Sequence, residues 1–279
     1  MQNPEPNNKS KQSAPGKEMS FLDHLEALRW HLIRSTVAIF VFAIVAFLNK
    51  SFIFDTVLLA PKNPDFITYR ILCLLSNKLN MGDALCISEL PFILMNINMA
   101  GQFINHITIS IVAGFIIAFP YVFWEIWRFV NPALHTKERK HAKGVVFFSS
   151  VLFMTGVSFG YFVIAPLAVN FLGSYHVSEM VANQINLSSY ITTITSITLA
   201  CGVIFELPIL AYFLTKVGLI TPTFMRKYRR HALVVTLILA AIITPPDVIS
   251  QILVALPLLI LYEISIYVSA IVLKRSVVS

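Results

Sequence analysis

The chain has 279 residues, 57% of them apolar and only 13% charged, with a formal net charge of +7 and a mean hydropathy of +0.75. Soluble domains carry about 25% charged residues, so this composition speaks against a soluble globular protein. The basic surplus reads as an orientation signal and a contact with anionic lipid, and it calls for no nucleic acid.

In chain order, residues 1–18 are rich in Asn, Pro, Ser and Lys without periodicity and read as a disordered cytoplasmic tail. A membrane domain over 19–275 follows, and residues 276–279 form a second short tail. The lead-in over 20–32 sets Phe21, Leu25, Leu28 and Leu32 on one helical face, with Asp23, Glu26 and Arg29 elsewhere. Asp23 and Glu26 are helical neighbours; in the plain alternative they favour the helix dipole, and Glu26 pairs with Arg29.

Six apolar segments come next, over about 32–48, 97–129, 145–167, 188–214, 232–243 and 248–273. The expected class is therefore all-α, a polytopic membrane protein with six transmembrane helices. The first segment lacks a small-residue cleavage site and is expected to stay in the membrane. Between the first two lies a long outer loop, 49–96, broken by Pro61, Pro64 and Pro91. Its stretch 66–79 mixes apolar and polar residues at helical spacing, as a short helix resting on the membrane surface would. Cys73 and Cys86 both fall in this loop, where a disulfide is possible; spacing leaves the pairing open. Cys201, inside the fourth segment, reads as packing.

The second segment contains Pro120 and ends in an aromatic belt where Glu125 and Arg128 are set to pair. In the inner loop 131–143, Glu138 is the only acid among several bases. In the plain alternative it neutralises Lys137 or Arg139 on a solvated face, worth under about 1 kcal/mol. Gly156 and Gly160 suit a close helix contact in the third segment. The fifth segment offers only about 18 Å of helix against roughly 30 Å of hydrocarbon. Pro257 and Glu263 interrupt the sixth, so short helices are expected on that flank. Thr244-Pro245-Pro246-Asp247 is a tight outer turn, with Asp247 as a helix cap.

Seventeen basic residues fall on the side of both termini and four on the other, which places both termini in the cytoplasm. Glu206 stands apart: it is about 15 Å of helix from the basic end at Lys216, deep in an apolar run. A carboxylate there costs several kcal/mol unless paired, protonated or wet, so it marks a functional site by default. Thr192, Thr193, Thr195, Ser196 and Thr198 on the same segment suggest a polar concavity. The alternative is a structural Glu bonded to a neighbouring helix.

Several motifs, taken in order, carry a resemblance. They are Phe21-Leu22-Asp23-His24-Leu25-Glu26-Ala27-Leu28-Arg29, Ala60-Pro61, and Trp127-Arg128-Phe129-Val130-Asn131-Pro132-Ala133-Leu134 with Lys137-Glu138-Arg139. Phe159-Gly160-Tyr161-Phe162, Phe205-Glu206-Leu207-Pro208 and Thr244-Pro245-Pro246-Asp247-Val248-Ile249-Ser250-Gln251 complete the series. Over about residues 20–275 the chain resembles the C subunits of twin-arginine protein translocases.

That resemblance implies a six-helix subunit cupped like a hand in the bacterial cytoplasmic membrane. It would bind twin-arginine signal peptides of folded cargo and draw on the proton motive force, with no enzymatic activity and no cofactor. Signal contact would fall to Glu138, Arg139, Phe129, Glu26 and Asp23. Two arginines suit such acids, because guanidinium forks and carboxylates form bidentate bonds. Ala27 stands where the family usually has a second Glu, so Glu26 or Asp23 would serve in its place. Glu206, Asp247, Gln251 and Pro61 would belong to the intramembrane and outer contacts with single-span TatA/TatB-type subunits, other copies of the chain and lipid. An ion-coupled solute carrier using Glu206 as a proton site is the competing reading; the lack of an internal repeat weighs against it. An intramembrane hydrolase of the His-Glu-x-x-His type would need that motif, which does not occur, and this class is the least favoured reading.

Overall fold

Backbone polar groups have no water to bond in hydrocarbon, so apolar runs of bilayer length fold as helices. The computed structural model describes residues 21–80, 82, 86–87, 90–130, 142–178, 180, 183–244 and 248–278. Five helical segments among them are long and apolar enough to cross a membrane: Leu25–Leu48, Gly101–Phe129, Gly144–Ser174, Leu187–Lys216 and Gln251–Lys274. In detail, helix α1 is Phe21–Leu48, α2 is Ile67–Lys78 and α3 is Gly101–Val130. The third segment joins α4 (Ala142–Phe159) to α5 (Ala165–Ser174) through a π-helical stretch, Gly160–Ile164. The fourth joins α6 (Leu187–Ile204) to α7 (Leu207–Lys216). The short α8 (Pro222–Lys227), then α9 (Arg229–Ile243) and α10 (Val248–Val278) close the chain.

The last two helices correct one expectation and uphold another. α9, at 15 residues, spans only about 22 Å at 1.5 Å per residue. α10, by contrast, is a continuous helix of 31 residues with Pro257 inside it. The proline removes one backbone donor, but leaving the helix inside lipid would expose many more, so the helix runs through. Glu263, also expected to interrupt it, accepts from Arg229 at the start of α9 at 2.7 Å.

Close helix contact is visible where small residues allow it. A Cβ on Gly156 would lie 2.6 Å from the Cys201 carbonyl oxygen, and one on Gly160 would lie 2.9 Å from the Cys201 Cβ. α4 and α6 therefore meet nearly backbone to backbone. Cys201 is buried there with Ile197, Phe205, Val254 and Leu258, a packing role as expected.

The end of the bundle that carries the loop 49–96 is a built cap. Two-stranded pairing, absent from the expectations, joins β1 (Ile93–Met95) in parallel to β2 (Gln184–Asn186), with Ile93 opposite Gln184. Cys73 and Cys86 form a disulfide across the same cap. Two prolines explain its hydrogen bonds. Pro166 cannot donate to the carbonyl of Phe162 one turn before it, and that oxygen instead accepts from Thr68 Oγ1. Pro61 likewise leaves the Val57 carbonyl free, and Tyr161 Oη donates to it at 2.5 Å. Tyr69 Oη donates to the carbonyls of Pro61 and Pro166, and Tyr190 Oη to that of Leu58. Hydroxyls thus satisfy carbonyls that the helices cannot.

Candidate functional site

Glu206 stands at a break in the fourth segment. α6 stops at Ile204, Pro208 opens α7, and Glu206 occupies the cap position between them. The proline has no N–H to donate, which suits the first turn of a new helix. The carboxyl does not fold back onto its own backbone. It reaches across to α4, where Glu206 Oε2 accepts from Ser149 Oγ at 2.9 Å. Ser149 is fully buried, and Glu206 Oε1 is buried without a hydrogen-bond partner among the described residues. The acid therefore faces the helix bundle and not lipid, and one of its oxygens is left short of a donor among the described residues.

The hydroxyl-rich face of α6 does form a concavity. Ser188, Ser189, Thr192, Thr193 and Ser196, with Leu172, Ile243 and Thr244, line a cavity of about 630 Å³. Glu206 is not among its walls; it lies about 15 Å further along the segment from Ser196 at 1.5 Å per residue. The hydroxyl-lined concavity and the Glu206 carboxyl are thus two separate polar features of this segment. Thr195 turns back to the Ile191 carbonyl, and Thr198 Oγ1 is buried without a partner among the described residues.

A third polar cluster sits at the opposite end, between α1 and α3. Glu125 is only 1% exposed yet fully engaged: Oε2 takes His31 Nδ1 at 2.5 Å and Oε1 takes Arg128 at 3.2 Å. The i, i+3 couple expected from spacing is present, and His31 is a partner that spacing could not reveal. The Phe129 ring meets the His31 ring at 6.2 Å, and the Arg128 guanidinium lies over Trp124 at 5.8 Å. This hub pins the lead-in of α1 to the last turns of α3. Glu26 is exposed on α1, one turn or so before His31.

Of the remaining candidates, Pro61 is fully buried in the cap. Gln251 donates to the Leu237 carbonyl at 3.4 Å, a weak tie between α10 and α9. Asp23 lies in α1, its side chain outside the described residues, as are Glu138, Arg139 and Asp247 altogether. Among the described residues no group of three or more His, Cys, Asp or Glu side chains converges to hold a metal ion. The arrangement offers buried carboxyls and hydroxyls for recognition.

Comparison with known proteins agrees with this picture. A family described as Sec-independent protein translocase protein (TatC) matches residues 23–257. A Sec-independent protein translocase protein TatC of Blattabacterium sp. subsp. Periplaneta americana is 40% identical over 259 residues, 92% of this chain and 97% of that one. The protein of the same name from Aquifex aeolicus is 33% identical over 258 residues, again 92% and 97% of the two chains. A crystal structure of the twin-arginine translocase receptor TatC in DDM superposes with a TM-score of 0.67 at 32% identity, covering 88% of this chain and 99% of that one.

Proposed function

The chain belongs to the TatC family of Sec-independent protein translocase proteins, and from that premise we propose that it is the core receptor subunit of a twin-arginine translocase. The family is one of non-enzymatic transport components, and the chain is a multi-pass membrane protein with several apolar helices. In the proposed reading, twin-arginine signal peptides of folded cargo bind at the cytoplasmic face, through Glu138 and Arg139 in the inner loop, Phe129 at the end of α3, and Glu26 and Asp23 on α1. α9 makes the fifth of six crossings, both termini lie in the cytoplasm, and residues 1–18 and 276–279 flank the membrane domain as tails. Single-span Tat partners, and other copies of the chain, engage Glu206, Asp247, Gln251 and Pro61. Export draws on the proton motive force across the bacterial cytoplasmic membrane.

The observation that carries the partner half of this reading is Glu206: a carboxyl inside the membrane segment, turned into the bundle, with one oxygen buried and unpartnered. A single-span helix carrying a polar side chain at matching depth supplies the missing donor. The Cys73–Cys86 disulfide supports the orientation, because disulfides persist in an oxidising compartment such as the periplasm. For the signal half, Glu138→Ala is expected to weaken binding of a twin-arginine peptide by tenfold or more while the purified protein stays monodisperse, in line with about 1.5–3 kcal/mol for a charge-assisted bond. An unchanged affinity removes Glu138 from the site.

A further inference from the structure

Helix α2 in the outer cap is amphipathic the wrong way round for a helix facing water. Its inward side carries the hydroxyls: Tyr69 and Ser76 are 1% and 0% exposed, and both are hydrogen-bonded within the cap. Its outward side is apolar: Ile67, Ile71, Leu74 and Leu75 are 54, 56, 70 and 47% exposed. Those positions, at i, i+4, i+7 and i+8, form one continuous stripe. The rotation is fixed, because the Cys73–Cys86 disulfide and the two bonds from Tyr69 hold the inward side in place. The stripe cannot turn inward.

Depth identifies what covers it. Thr68, in the first turn of α2, donates to the Phe162 carbonyl, and the Phe66 ring just before the helix stacks on that of Phe162 at 5.9 Å. Phe162 lies inside the third crossing, Gly144–Ser174, well short of its end at Ser174. Phe162 is itself 44% exposed, so the stripe continues the lipid-facing surface of the third crossing. Arg70 and Lys78 are exposed, and long basic side chains reach from such a position to lipid phosphate.

We propose that α2 is a lipid anchor: it is seated in the outer leaflet, with Ile67, Ile71, Leu74 and Leu75 among acyl chains and Arg70 and Lys78 at the level of the phosphates. The cap is then held to the bilayer as well as to the bundle. The leaflet assignment rests on the orientation proposed above, but insertion itself does not depend on signal binding.

The test uses the full chain in nanodiscs made with bromine-labelled phosphatidylcholine. Leu74→Trp adds a fluorophore to the outward stripe, and Val177→Trp adds one to the exposed outer loop as a control. Retention of the Cys73–Cys86 crosslink on a non-reducing gel shows that the cap has folded. The added fluorescence at position 74, taken as the difference from the parent protein, is expected to fall at least twofold in brominated lipid, with little change at 177. Emission at 74 that stays water-like overturns the proposal. So does blue-shifted emission that bromine leaves untouched, since that outcome means the stripe is covered by protein, such as a second copy. Unchanged quenching at 74 together with failed signal binding would count against the proposed receptor function alone.

Discussion

Removing the Ser149 hydroxyl probes the intramembrane site most sharply. In the native protein Ser149 Oγ donates to the Glu206 carboxyl at 2.9 Å, while Oε1 is buried with no donor among the described residues. Ser149→Ala therefore leaves a buried carboxyl with no donor at either oxygen, a loss of about 1–3 kcal/mol. At about 2–4 °C per kcal/mol for a protein of this size, the purified protein should melt about 2 to 12 °C lower. Adding Glu206→Leu removes the second partner too. Stability should then return close to that of the parent, because an apolar pair in an apolar setting has nothing left unsatisfied. If Glu206 only ties α4 to α7, that double variant will also assemble with its single-span partner as the parent does. The proposed reading expects the reverse: a stable protein that recovers little partner on co-purification. Ser149→Ala melting like the parent, or full partner recovery by the stable double variant, would refute the reasoning.

Three further outcomes follow from the packing. Gly156→Val forces a side chain into the Cys201 carbonyl and Phe205, at about 1–3 kcal/mol of overpacking; a thermal melt in detergent checks it, and Gly144→Val, with nothing within 4 Å of its Cβ, should melt as the parent. Glu125→Gln leaves His31 and Arg128 without their carboxylate; since Arg128 is half exposed, the cost should sit near the lower end of the roughly 3–5 kcal/mol seen when a buried ion pair is broken, read by proteolysis of α1 from α3. Tyr69→Phe strips a donor from the Pro61 and Pro166 carbonyls, costing about 1–3 kcal/mol. Burial pushes the Tyr69 hydroxyl above its ordinary value of 10.0, so its contribution is constant below that pH and declines above it, as the unfolded chain ionises first; a melt series across alkaline pH should show the parent, but not the Phe variant, losing this increment.

What could be read in the sequence was what depends on local chemistry. Glu206 is conspicuous as an acid in an apolar run, Gly156 and Gly160 in the third segment announce a close contact, and α2 shows its helical spacing. What escaped depends on residues far apart. His31 and Glu125 are 94 positions apart, and no periodicity links them. Strands of three residues, Ile93–Met95 and Gln184–Asn186, are too short to show alternation. Pro257 looked like an interruption because the rule for prolines is learned in water, whereas in lipid a helix has no better alternative for its backbone. The hydroxyl face of α6 was legible, but the tie from Glu206 to Ser149 on α4, 57 positions away, was not.

The central claim is that a carboxylate at the inner rim receives paired guanidiniums. Its most direct test is a photo-crosslinker at position 138 in membranes containing a twin-arginine signal peptide. The account predicts strong labelling that is lost when both signal arginines become lysines, since lysine keeps the charge but not the bidentate fork. Labelling that persists through that change would contradict it.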